Sequence, residues 1–359
     1  MIKVSIDSGP LTSGHSVRGV GAYTRELIRA LERETRLRKA TARQGLKIEA
    51  VDFEKVDLST YDLMHFTYFN PFFLTLPFNK PAKTIVTIHD TIPLIYPNQY
   101  PPGIRGLFKF KIQKFLLNKV DGIITPSETS KKDVVRFLGV PAGKIRVIYE
   151  APREVFRRLE IRDQSLVGIR KKYNLPSSFV LYVGDVNYNK NILGLADSCK
   201  IAKIPLVIVG KQAVSIDVDF AHLENQPFKH FLEKYGKDTS ILRLGYVLDE
   251  DLVALYNLAS VYCQPSFYEG FGLSVLEAMA CGLPVVCSKT QALVEIAEDA
   301  ALFADPKKPE DLARAITKIL KNEKTKKLLV KKGFEKAKMF SWERAARETI
   351  DFYKSVYGE

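Results

Sequence analysis

What most narrows the fold open to this chain is an alternation that runs from its first residues to about residue 304. Short apolar runs recur at 1–7, 48–53, 63–66, 83–88, 122–125 and 145–148, and again at 179–183, 206–209, 241–244, 261–264, 284–287 and 301–303. Between them the apolar residues take helical spacing, at 22–34, 104–119 and 128–138 in the first half and at 191–200, 226–235, 250–259, 273–279 and 309–320 in the second. Strands that alternate with helices predict an α/β chain built on parallel sheets with both faces covered. At 359 residues the chain is too long for one ordinary core. Residues 150–176 are rich in charge, contain Pro152 and Pro176 and keep no period, so they read as a connection. The predicted organisation is a Rossmann-like domain over 1–150, a linker over 151–176, a second Rossmann-like domain over 177–340 and a helix over 341–359 that packs back across both. Two doubly wound domains, each binding ligands at the carboxyl ends of its strands, would face each other across a cleft.

Composition narrows the function. The net charge of +13 asks for an anionic partner: nucleic acid, a membrane surface or an anionic substrate. The basic residues fall in clusters at 18–39, 109–119, 131–144, 153–172 and 321–338, and the last reads as a solvated helix face. None of the usual nucleic-acid modules is present, which leaves that class a minority reading. The clusters of the first half fit docking on an anionic membrane. Cys199, Cys263, Cys281 and Cys287 lack CxxC spacing and sit in apolar patterns, as expected of buried thiols in a reducing compartment. No structural metal is expected. No run approaches the roughly 20 apolar residues that span a bilayer, and the chain opens on a strand pattern rather than a signal peptide. A cytoplasmic protein is expected, at most peripheral to the membrane.

The stretch from Gln264 to Ser288 carries the chemistry. An apolar run ends at Pro265-Ser266, the turn Glu269-Gly270-Phe271-Gly272 follows, and a helical pattern begins at Leu273-Ser274. Glycines let the backbone approach a ligand, and the free N–H groups of a helix start favour phosphate. Glu269 and Glu277 bracket this loop. Neither suits phosphate, but both can accept hydrogen bonds from sugar hydroxyls. The combination describes a nucleotide-sugar site. Glu277 has a second reading, because Ser274-Val-Leu-Glu277 also fits a capping box in which Glu277 reaches back to the helix start.

These residues resemble the E-x7-E signature of the family 4 retaining glycosyltransferases, which have the GT-B fold. The likeness extends along the chain in order. Arg18–Glu26 resembles the family's glycine loop and first helix, Thr87-Ile-His-Asp90 its His-Asp strand end, Thr125-Pro-Ser127 the next strand end, Tyr182–Asn191 its Gly…Lys-Asn loop and Leu244-Gly-Tyr-Val247 the segment near the base. The resemblance implies that Glu269 contacts the transferred sugar, that Lys190 neutralises the diphosphate and that His89 lies near the reacting centre. It implies that Glu277 binds the ribose and that the backbone of Gly270, Phe271, Gly272, Leu273 and Ser274 holds the diphosphate. Gly19, Gly21, Gly184, Gly210, Tyr246 and Val247 complete the implied nucleotide-sugar site. Asp185 and Asn189 depart from the family, which often has basic residues there; Arg18 or backbone donors would compensate.

Several features keep a bland alternative. The Gly19–Gly21 pair fits a plain turn, Asp90 a turn former, His89 a satisfied core residue and Lys190 a solvated helix start. Tyr96 and Tyr100 suit either an acceptor-side loop or packing. The run Phe69–Phe78 is unusually apolar for a loop with two prolines and reads as core or as a membrane-touching patch. The resemblance implies a metal-independent enzyme with no cofactor, a nucleoside-diphosphate sugar as co-substrate and a glycan or lipid-linked glycan as acceptor. Its nearest likeness is to mannosyltransferases using GDP-sugars; a UDP-sugar enzyme or a non-catalytic nucleotide-sugar binder are the alternatives.

Overall fold

The computed structural model describes residues 1–14, 19–39, 45–160, 164–216 and 218–358. They form two compact units: Met1–Pro97, Pro101–Ala151 and Phe340–Glu359 make unit 1, while Asn98–Tyr100 and Pro152–Met339 make unit 2.

In unit 1 the order is β1 (Ile2–Asp7), α1 (Gly9–Thr12), α2 (Gly19–Lys39), β2 (Leu46–Val51), β3 (Leu63–Phe66), β4 (Lys83–Thr87), α3 (Ile92–Ile95), α4 (Gly103–Asn118), β5 (Gly122–Thr125), α5 (Glu128–Asp133) and β6 (Ile145–Val147). Unit 2 continues with α6 (Gln164–Lys172), β7 (Val180–Val183), α7 (Ile192–Ala202), β8 (Leu206–Val209), α8 (Gln226–Tyr235), β9 (Ile241–Arg243), α9 (Asp249–Leu258), β10 (Val261–Gln264), α10 (Leu273–Ala280), β11 (Val285–Ser288), α11 (Gln291–Ala297), β12 (Ala301–Ala304), α12 (Pro309–Lys321) and α13 (Glu323–Ala337). The chain then returns to unit 1 with α14 (Trp342–Tyr357).

Each unit holds one six-stranded sheet, ordered β2-β1-β3-β4-β5-β6 and β12-β11-β10-β7-β8-β9, and every pairing is parallel. Successive strand residues point to opposite faces. Leu63, Ile85 and Ile124 therefore meet α2 and α14 on one face of the first sheet, while Met64, Val86 and Ile123 meet Leu116 and Leu117 of α4 on the other. Both faces are covered, so the inner strands are buried along their whole length, as at Leu63–Phe66 and Val261–Gln264. The four cysteines are buried and free.

Three elements differ from the sequence expectations. The first long helix begins at Gly19 rather than after the glycine pair, so Gly19 and Gly21 form its first turn. Residues 164–172, expected within a linker, form α6 and pack on α9; with few fully buried side chains, this helix leaves little apolar period. The helical stretch after Ser127 keeps α-geometry only to Asp133, then widens into a π-turn over Val134–Leu138 that ends at left-handed Gly139. Among the described residues no helix is long and apolar enough to cross a membrane.

Candidate active site

The second sheet reverses its direction of growth between β7 and β10: β8 and β9 are added on one side of β7, then β10 to β12 on the other. Loops leaving the carboxyl ends of strands that flank such a switch point diverge, and the crevice between them is where open parallel sheets bind ligands. Here those loops are Gly184–Asn191 and Pro265–Gly272.

The two loops meet through an ion pair. Lys190 Nζ donates to both carboxylate oxygens of Glu269 at 2.8 Å. Glu269 Oε1 also accepts from Ser266 Oγ at 2.6 Å and Gln264 Nε2 at 2.8 Å, so a largely buried carboxylate is fixed from three sides. Asn189 is buried rather than presented to a ligand. Its carbonyl accepts from Phe267 N at 2.7 Å, its Nδ2 donates to the Tyr268 carbonyl at 3.1 Å and its Oδ1 accepts from Tyr100 Oη at 2.7 Å. The residue in the place of a family cation thus ties the Lys190 loop to the Glu269 loop. Asn191, left-handed at φ 52, donates to the carbonyls of Pro265 and Pro306.

Glycine is required at three of the expected positions, one of them Gly184, where φ is 153 and a Cβ would lie 2.9 Å from the Tyr182 hydroxyl oxygen. A Cβ on Gly210 would lie 2.1 Å from the Gly184 carbonyl oxygen. At Gly272 φ is 126, and a Cβ would lie 2.8 Å from Leu293. Gly272 is also the N-cap of α10 and supplies no side-chain cap. The opening N–H groups of that helix are therefore not covered by a cap side chain. Phe271 and Val247 are buried, so what they offer a ligand is backbone. Tyr246 is half exposed, beyond β9 at the sheet's edge.

Glu277 does not form the capping box that its spacing allows. Its Oε1 accepts from Arg153 Nε at 3.1 Å and its Oε2 from Tyr256 Oη at 3.3 Å. Burial pushes its carboxyl up to about 7, against the pull of Arg153 and Tyr256 toward the ionised form. Arg153 also donates to Asp249 Oδ1 at 2.7 Å and lies over the Phe156 ring. Arg153 was not singled out for this site from the sequence, because its partner lies 124 residues away; Tyr100, read as part of an acceptor-side loop or as packing, meets Asn189, 89 residues away. The clue available was Arg153's position beside a proline at the supposed domain boundary.

In unit 1 His89 follows β4 at its carboxyl end. Its Nδ1 faces Glu150 Oε1 at 3.0 Å and its Nε2 donates to the Thr67 carbonyl at 3.1 Å, while Tyr23 packs edge-on at 4.6 Å. Desolvation disfavours the charged ring, but the hydrogen bond and charge of Glu150 outweigh it and hold the His89 pKa above its ordinary value. Asp90 Oδ1 accepts from Ile92 N at 3.0 Å, the turn-forming role. Gly21 is buried, and a Cβ on Gly19 would meet nothing within 4 Å. Arg18 lies outside the described residues.

Two Rossmann-like α/β units, one with its switch-point loops joined by a cation and a carboxylate, define a chain of the GT-B class. A solved structure with the same fold is sucrose-phosphate synthase from Thermosynechococcus elongatus, with a TM-score of 0.74 at 22% identity over 99% of each chain. The family described as "Glycosyl transferases group 1" matches residues 169–336, and "Glycosyltransferase Family 4" matches residues 48–151. O-antigen chain mannosyltransferase B of Escherichia coli is 31% identical over 300 residues, covering 82% of this chain and 75% of that protein. The serotype-specific mannosyltransferase WbdA of Escherichia coli is 28% identical over 276 residues, covering 76% of this chain but only 33% of WbdA. The chain belongs to glycosyltransferase family 4 and is an enzyme of the hexosyl-transferring kind.

Proposed function

We propose that the chain is a retaining, metal-independent transferase that moves a hexose, mannose first among candidates, from a GDP-sugar to a glycan or lipid-linked glycan. The observation that carries this reading is the Lys190–Glu269 pair between the loops after β7 and β10. The names of the two Escherichia coli relatives support mannose and polysaccharide assembly.

In the reaction the bond from the anomeric carbon to the diphosphate breaks, the bond to the acceptor oxygen forms, and the acceptor's proton passes to the departing phosphate. Negative charge grows on the diphosphate, so donors fixed there lower the barrier more than they stabilise the ground state. Lys190 would exchange part of its contact with Glu269 for a phosphate oxygen, and the opening amides of α10 would take another. Glu269 would keep Ser266 and Gln264 as partners, and so stay aimed at the sugar and orient it without attacking it. Glu277 would accept the ribose hydroxyls, with Arg153 favouring its ionised form. His89, its ring held toward the charged form by Glu150, would serve the acceptor side.

Glu269→Gln and Lys190→Ala are each expected to lower kcat by about 10²–10³-fold with the fold retained. The true donor is found by thermal shift against GDP-, UDP- and ADP-sugars. Transfer at the wild-type rate by either variant would sink the catalytic assignment, and stabilisation by UDP-sugars alone would replace the base.

A further inference from the structure

The basic first half carries an apolar face that the transfer reaction does not use. On α4, Ile104, Leu107, Phe108 and Phe115 are all exposed, Ile104 at 89% and Phe108 at 66%. Their spacing of three, four and seven residues puts them on one side of the helix. Lys111 shares that side and is exposed, as is Arg105 beside it.

The loop before β4 extends the same face. Phe69 and Leu76 sink into the core, and Gln113 of α4 accepts from Leu76 N and Thr75 Oγ1 at 3.3 and 3.1 Å. Phe72 packs on Phe110 at 5.9 Å. So anchored, the loop turns Phe73 and Phe78 outward at 61% and 70% exposure, with Leu74 between them. Cations lie over the outward rings: Lys109 Nζ is 5.5 Å from the Phe73 centroid and Lys119 Nζ is 4.2 Å from that of Phe115. This is the arrangement in which a lysine stem covers apolar surface while its head stays in water.

Charge decides the occupant. Between Asp62 and Asp121 the only carboxylate is Asp90, against seven lysines and arginines. A second copy docking face to face would set these cations against each other with no carboxylates to meet them. A bilayer with anionic headgroups matches both components at once. We propose that α4 and the Phe73–Phe78 loop form a membrane-docking face, with the apolar side chains seated at the acyl boundary and the lysines among anionic headgroups. The inference stands apart from the donor and acceptor assigned above, because docking is measured without either.

The test uses the full chain with vesicles of phosphatidylcholine alone or with added phosphatidylglycerol. Sedimentation is expected with the anionic vesicles only. An I104S/F108S variant and a K109E/K111E variant, both at exposed or half-buried positions, should each partition at least about tenfold more weakly. Trp342, the one native tryptophan, is buried, so F108W adds a reporter whose emission should shift to the blue on anionic vesicles. Equal pelleting with both vesicle types, no pelleting with either, wild-type pelleting by both variants, or an unshifted F108W spectrum would each overturn the proposal. So would a dimer of the wild-type chain that I104S/F108S dissociates without changing lipid partition.

Discussion

At His89 and His65 the same side chain meets two fates through its partners alone. His89 faces a carboxylate and a carbonyl, both acceptors, and is held toward the imidazolium. His65 faces the hydroxyls of Tyr353 and Thr87, which can donate or accept, and burial drives its pKa down to about 3. Glu277 is the third case, a carboxyl raised to about 7 by burial and restrained by Arg153. Its folded pKa exceeds its unfolded value of 4.5. Its contribution to stability is thus complete below pH 4.5 and lost as pH rises through about 7. In the proposed ribose-binding role function would run the other way, since only the ionised form could accept two ribose hydrogen bonds. Donor kcat/KM is expected to fall as pH drops below about 7, and Arg153→Ala should move that limb upward by about one pH unit. A pH–rate profile left unmoved in Arg153→Ala would show that the guanidinium does not tune Glu277. Glu269 and Lys190 were legible because their loops have a recognisable residue order. Arg153 was not, because a charge in a charge-rich segment becomes a site residue only through partners brought to it by folding.

At the scale of elements, β7 and β8 end so close together that the site's backbone has no slack. Gly210→Ala would drive a methyl into the Gly184 carbonyl, and the neighbouring atoms are backbone, which cannot swing aside. Overpacking of this kind costs roughly 1–3 kcal/mol or more, and the movement would reach Lys190 through the Gly184–Asn191 loop. A lower melting temperature together with a raised donor KM is the expected pair; a lowered melting temperature with KM unchanged would confine the effect to packing. The inner strands were legible because burial on both faces leaves an unbroken apolar run that water would not tolerate. The start of α2 was not, because Gly19 and Gly21 look like a turn until the helix that contains them is seen. Nor was α6, whose hold on α9 takes few fully buried residues.

Over the whole molecule, unit 1 is assembled from distant parts of the chain. Trp342, Ile350, Phe352 and Tyr353 of α14 are buried among residues of β1, α2 and β3. At roughly 1.5–3 kcal/mol for each large side chain, their burial rivals the net stability of a whole domain. Removing residues 340–359 is expected to abolish amide-exchange protection in the first sheet while the second stays protected; retained protection in β1 and β3 would refute this. Tyr353→Phe should cost about 1–3 kcal/mol by leaving His65 Nδ1 without its partner, a loss that chemical denaturation would measure. The discontinuity also bears on how the protein is born. Domains generally fold in the order in which the ribosome releases them, at roughly 5–20 residues per second. Here the segment emitted first must wait on the order of ten seconds or more for its last helix, while the later segment can close ahead of it. During that interval the apolar face that α14 covers in the first sheet stays open to water, a surface a chaperone could bind.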